Sequence, residues 1–207
     1  MANNCYTTIL LRNTPVKITA LDEALKGAKN TEKKPFGGIW LGSLLIYMGY
    51  PDKDVGEGRI CRCRGRIMDY TVHEGEINLY TETAWVPMLQ TIKCFADRYA
   101  PNTEIYYRAE EPGCGLYWTN DLRYVGTYYV DGYFEGKYEY LHDIIDCSPE
   151  TVARALEDCL KISKTKKKSD KYIQTLCNRA NDLLQHVDPG YYMILGKYRL
   201  MDIADCD

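Results

Sequence analysis

The chain has 207 residues, 45% of them apolar, and a formal net charge of −3, which excludes global disorder and allows one domain with an appendage or two small domains. The slight acidic excess argues against a protein built chiefly to bind nucleic acid, which would carry a clear basic excess, while leaving room for a local basic patch. Nineteen tyrosines against three phenylalanines favour pleated, half-wet surfaces, because tyrosine joins an apolar ring to a polar tip.

Nine cysteines would fit a disulfide scaffold in a small secreted chain, but the count is odd and no secretory apolar stretch follows Met1-Ala2-Asn3-Asn4. The longest apolar run, Ile39 to Met48, is about half of what a bilayer requires. The expectation is a cytoplasmic protein with reduced thiols and no membrane segment.

In chain order, Cys5 to Arg12 reads as a first strand. Thr14 and Pro15 are a helix cap and first-turn proline, and Val16, Leu21, Ala24, Leu25 and Ala28 follow at helical spacing. Lys29 to Lys34 reads as a polar loop. Phe36-Gly37-Gly38 leads into a buried helix over 39–48, and 51–58 is a loop. Arg59 to Val72 and Glu76 to Ala84 read as a hairpin, closed by His73-Glu74-Gly75. Pairing Val72 with Glu76 sets Arg66 opposite Glu82 and puts Arg62, Arg64, Arg66, Tyr70 and Tyr80 on one face.

Trp85-Val86-Pro87 opens a helix to Tyr99, with Leu89, Ile92, Phe95 and Ala96 inward and Pro101 as its stop. Residues 104–111 alternate as a central strand, Cys114–Asn120 and Tyr124–Phe134 form a second hairpin, and Lys137–Leu141 adds a short strand. Ser148-Pro149-Glu150 and Ser169 then start two amphipathic helices, joined by the charged stretch Lys161–Lys171. Residues 191–200 form a last strand.

The order strand, helix, two strands, helix, strand predicts an α+β fold with a ferredoxin-like split β-α-β core and an antiparallel sheet over residues 1–141, and an α-rich C-terminal appendage over 142–207. Three features resemble the YubB-like family of phage- and plasmid-encoded proteins: Met1, Asn3 and Cys5 at the start, Trp85 and Pro87 at the second crossover helix, and Glu111-Pro112-Gly113-x-Gly115 before an aromatic strand. The resemblance spans about residues 1–140 and implies the same fold and a mobile-element setting. It implies no catalytic residues.

The candidate sites divide by chemistry. Glu110 and Glu111 are adjacent carboxylates suited to acid–base work only if they share a site, and strand neighbours point to opposite faces. The other reading of Glu110 to Gly115 is a strand end and a glycine bend. Cys61-x-Cys63 lacks the second pair that a zinc site needs, so no metal and no cofactor is expected. Cys114 with His73 or His142 would make a nucleophile and base, but no spacing brings them together. Lys164 to Lys168 reads as a phosphate contact or a solvated link.

Arg62, Arg64, Arg66, Tyr70 and Tyr80, with Glu110 and Glu111, are therefore the binding candidates, on a sheet face able to act as a platform. The favoured expectation is a non-enzymatic interaction protein of phage or mobile-element origin, binding a host or phage protein and interfering with a host defence protein. The alternatives are a nucleic-acid or nucleotide binder using the Arg/Tyr face, and a small hydrolase around Glu110 and Glu111.

Overall fold

The computed structural model describes residues 3–31, 37–165 and 168–206, apart from the side chain of Asp143. Met1, Phe36, Lys166, Lys167 and the part of the expected polar loop at 32–34 lie outside the described residues. The elements run β1 (Asn4–Arg12), α1 (Pro15–Asn30), β2 (Ile39–Trp40), α2 (Leu41–Tyr47), α3 (Asp52–Gly56), β3 (Gly65–His73), β4 (Glu76–Ala84), α4 (Leu89–Tyr99), β5 (Glu104–Glu111), β6 (Leu116–Thr119), β7 (Tyr128–Tyr133), α5 (Pro149–Cys159), α6 (Asp170–Val187), β8 (Tyr192–Lys197) and β9 (Arg199–Leu200).

The chain forms an α+β fold. Two compact units emerge, one of residues 1–114, 118–121 and 200–207, the other of residues 115–117 and 122–199.

In the first unit the sheet order is β2-β3-β4-β1-β5-β6-β9. Its centre, β3-β4-β1-β5, is antiparallel throughout. With α1 and α4 as crossovers, this is the split β-α-β arrangement expected of a ferredoxin-like core. Alternation builds the covered face, which takes Cys5, Thr7, Ile9 and Leu11 from β1, Ile77, Leu79, Thr81 and Thr83 from β4, and Tyr107 and Ala109 from β5, all buried. Ile18, Leu21 and Leu25 of α1, Leu41, Leu44 and Leu45 of α2, and Leu89, Ile92 and Phe95 of α4 complete that core. Each such aliphatic or aromatic side chain contributes about 1.5–3 kcal/mol through burial.

The second unit has a two-stranded antiparallel sheet of β7 and β8. Val130, Phe134, Leu141, Val152, Leu156, Ile173, Leu176 and Leu184 cluster in its core. Ser148 caps α5 by accepting from Thr151 N–H, and Ser169 caps α6 by accepting from Tyr172 N–H, as their positions predict.

Within Lys164–Lys168, Lys164 and Thr165 are exposed, as a solvated link would be, whereas Lys168 departs from both expectations. Lys168 is buried, and its Nζ donates to both oxygens of Glu157 at 2.7 Å. Thr165 N–H, Thr165 Oγ1 and Tyr172 Oη also donate to Glu157. Burial alone would raise the Glu157 carboxyl, but the hydrogen bonds from Lys168, Thr165 and Tyr172 override it and hold it at about 2. The carboxylate is closed off by the loop that binds it.

Several local expectations need correction. Ile39 and Trp40 pair with Ile67 and Arg66 as a strand, so the helix begins only at Leu41. A short helix, α3, stands where 51–58 reads as a loop. The chain from Trp85 to Met88 is not helical, because both residues have positive φ, 73° and 51°, and α4 starts at Leu89. The hairpin expected over 114–134 does not form, since β6 joins the large sheet and β7 pairs with β8. Residues 136–144 are a 3-10 helix where a short strand is expected. The division between units falls near residue 121 where composition points to 141. The missing hairpin and the displaced boundary share a cause: β7 finds its partner at residues 192–197, a pairing that no local pattern announces.

Candidate functional site

The other face of the first unit's sheet is exposed or half-exposed and can be read off the register row by row. Arg66 stands opposite Glu82, Glu82 opposite Tyr6, and Tyr6 opposite Glu110. The next row is Asp69, Tyr80, Thr8 and Arg108, and the third is Thr71, Asn78, Leu10 and Tyr106. The fourth is His73, Glu76, Arg12 and Glu104. Tyr6 and Tyr80 are diagonal neighbours on β1 and β4, 48% and 46% exposed, close enough for their rings to present one apolar patch.

A β-bulge at Met68 decides which candidates reach this face. The hairpin turn is one residue tighter than expected: His73 pairs with Glu76 across Glu74-Gly75, and Gly75 takes φ 79°, which glycine adopts without a steric cost. The register then shifts between Ile67 and Asp69, so the extra residue cancels the shorter turn. Arg66 therefore meets Glu82 as expected, but Tyr70 moves to the helix-covered face. Its hydroxyl donates to Asp22 Oδ1 of α1 at 3.1 Å. Burial first, then the Asp22 charge, pushes the Tyr70 phenol up to about 12.

Arg62 and Arg64 also require correction. They precede β3, which starts at Gly65, so the three arginines do not form a ladder on one strand. Arg62 O accepts from Thr91 Oγ1 of α4 at 2.8 Å, and Arg64 O accepts from Ala84 N–H at 2.9 Å. Their carbonyls thus anchor the lead-in while both residues stay exposed.

At this end of the sheet lies a groove of about 520 Å³, lined by Asn4, Trp40, Arg64, Gly65, Arg66, Glu82, Thr83 and Ala84. Glu82 orders it. Arg66 donates Nη2 and Nε to Oε2 at 2.7 and 3.2 Å, and Asn4 donates Nδ2 to Oε1 at 2.6 Å. Trp40 is fixed by donating Nε1 to Cys63 O at 3.0 Å. Gly65 is required by close approach, because a Cβ there would lie 2.6 Å from Glu82 O and 2.8 Å from Thr83 Cα. Just past Ala84, Trp85 donates its backbone N–H to Asn3 O at 3.0 Å, and the residue is 45% exposed.

The two adjacent carboxylates separate as strand alternation requires. Glu110 is on the open face, whereas Glu111 is 3% exposed on the covered face, where its Oε2 accepts from the N–H of Cys114. Glu111 thus holds the bend that follows β5. Cys114 and His73 sit at opposite ends of the sheet, because β5 ends beside Tyr6 whereas His73 lies beside the Arg12 row. The buried Cys5 thiol of β1 is pushed up to about 12, chiefly by burial. Among the described residues, no group of three or more His, Cys, Asp or Glu side chains could hold a metal ion. No described helix is long and apolar enough to cross a membrane.

Sequence reading singles out Arg64, Arg66, Tyr80 and Glu110 of this surface and misses Asn4, Tyr6, Trp40 and Trp85. Tyr6 is accessible from the alternation of β1, where Cys5, Thr7, Ile9 and Leu11 declare the opposite face. Trp40 and Trp85 are not, because each depends on a local break in its expected element. Comparisons with protein-family models, with curated proteins and with solved structures found no match for this chain.

Proposed function

We propose that the protein is a non-enzymatic binding module whose open sheet face docks a partner protein, with the Trp40–Arg66–Glu82 groove receiving an apolar or aromatic side chain of that partner. The observation that carries this reading is the charge of the face. Five carboxylates, Asp69, Glu76, Glu82, Glu104 and Glu110, stand on the face and its groove against four guanidinium groups, Arg12, Arg64, Arg66 and Arg108. Two of those arginines are already engaged by face carboxylates, Arg66 by Glu82 and Arg12 by Glu76. A net acidic face repels a phosphate backbone and suits a partner with a basic rim.

The exposed aromatics supply the apolar part. Tyr6, Tyr80 and Trp85 belong to the residue types that dominate interface energetics, and the groove gives a pocket where one anchor can be desolvated. The resemblance of residues 1–140 to YubB-like proteins adds the setting of a phage or mobile element acting on a host or phage protein. Interference with a host defence protein is part of the proposal on that resemblance alone.

A photoreactive amino acid at position 80, with a control at the exposed Val16 of α1, tests the reading in cells. One discrete protein adduct from position 80, absent from position 16 and lost on Tyr6→Ala, is the expected result. Equal adducts from both positions, or nucleic acid as the adduct, would overturn it.

A further inference from the structure

Cys61 Sγ and Cys94 Sγ lie 3.8 Å apart. Cys61 belongs to the lead-in before β3, and Cys94 is on α4. The same helix holds the same lead-in one turn earlier, where Thr91 Oγ1 donates to Arg62 O at 2.8 Å. That hydrogen bond ties the residue after Cys61 to the helix that carries Cys94, and a small side-chain rotation brings the sulfurs to bonding distance. Neighbouring Cys63 takes another course: it is 5% exposed and faces Val55 O of α3 at 3.6 Å.

A route to the pair is open. Cys94 lines a surface concavity of about 530 Å³ with Met48, Gly49, Tyr50, Asp97 and Arg98, wide enough for a small disulfide.

We propose that Cys61 and Cys94 are a reversible dithiol site, oxidised by a low-molecular-weight disulfide to a cross-link that fixes the lead-in to α4. The Cys94 thiolate attacks one sulfur of the oxidant, forming a mixed disulfide; the oxidant's S–S bond breaks, and the departing thiolate takes up the proton that Cys94 lost. The Cys61 thiolate then attacks Cys94 Sγ, forms the intramolecular bond and releases the second small thiol. Two protein thiols and one small disulfide become one protein disulfide and two small thiols, so both electrons end on the oxidant. Because Arg64 is a wall of the groove three residues after Cys61, the cross-link fixes that wall. The chemistry itself does not depend on the docking reading.

The test uses the wild-type chain, incubated with mixtures of reduced and oxidised glutathione, quenched with an alkylating agent and mapped by peptide mass spectrometry. As the oxidised fraction rises, positions 61 and 94 are expected to lose alkylation together, two of the nine thiols, and to appear as one cross-linked peptide pair that reductant restores. In Cys61→Ser, a glutathione adduct on Cys94 is expected to accumulate. Independent alkylation of the two residues at every ratio, a wild-type reaction that halts at the glutathione adduct, or pairing of either residue with another cysteine would overturn the inference.

Discussion

Glu82 in the first unit and Glu157 in the second are each held by a basic side chain, and they stand at opposite extremes of solvation. The Arg66–Glu82 pair is 36% and 19% exposed and sits on the open face of the sheet. The Lys168–Glu157 pair is 7% and 0% exposed and ties a helix to the link that follows it. An exposed pair has weak Coulomb attraction and leaves a surface available to a partner. A buried pair costs desolvation on both ions and is retained only with every lone pair answered. Charge in the first unit is thus compatible with recognition, whereas charge in the second is structural.

The largest expected effect breaks the structural side. Glu157→Ala leaves Lys168 buried without its anion and should destabilise the second unit by about 3–5 kcal/mol, read as faster hydrogen exchange across α5 and α6. Replacing both residues, Glu157→Leu with Lys168→Met, should recover most of the loss. A single-mutant loss below about 1 kcal/mol would mean that the link opens and lets Lys168 reach water.

Acid titration probes the same pair. The Glu157 carboxyl ordinarily titrates near 4.5 and is held at about 2 in the folded protein. A depressed folded pKa means that its stabilisation is complete above pH 4.5, declines as pH falls toward about 2, and is absent below both values. Denaturant midpoints of the second unit across this range should fall more steeply in wild type than in the double variant that carries both substitutions, Glu157→Leu and Lys168→Met.

Next in size is the contrast between the two faces of one sheet. Ile9→Ala or Leu79→Ala removes a side chain that is 0% or 1% exposed and should cost about 2–5 kcal/mol. Tyr80→Ala, on the open face, should stay within about 0.5 kcal/mol in thermal unfolding while weakening partner binding. A large loss of stability with Tyr80→Ala would show that the open face is a packed one.

The smallest effect sharpens the recognition side. Arg66→Ala removes an exposed pair and should change stability by about 0–1 kcal/mol. Its effect should appear in binding, since Glu82 would lose its guanidinium donor and keep the hydrogen bond from Asn4. Equal binding by Arg66→Ala and wild type would move the anchor away from this groove.

Much of this fold is legible in the sequence, and the reasons are local. Cys5, Thr7, Ile9 and Leu11 alternate strictly, Leu89, Ile92 and Phe95 keep the helical period, and Ser148 and Ser169 stand where side-chain caps belong. What escapes depends on distant pairing or on backbone exceptions. The Arg66–Glu82 pairing is expected with the wrong turn, and the bulge at Met68 restores it while taking Tyr70 away. Lys168 reads as one more charge in a basic run, and only the folded link reveals its buried partner. Trp85 reads as a helix entry, and its positive φ instead ends the strand just past Ala84.

The bulge at Met68 also gives β3 two phases. Before it, even-numbered side chains answer to the groove; after it, Tyr70 answers to α1 through Asp22. The strand is a gear with one spare tooth. Removing that tooth by deleting Met68 leaves Ile67 opposite Thr81 and Asp69 opposite Tyr80, now as direct neighbours in an even ladder, so both faces survive the loss. The adjoining strand β4 has no such reserve, since its pairing with β1 runs without a break from Ala84 to Glu76. A single-residue deletion in β4 would turn part of that strand over and send core side chains to the open face. Of two neighbouring strands of equal length, one can lose a residue in evolution and the other cannot.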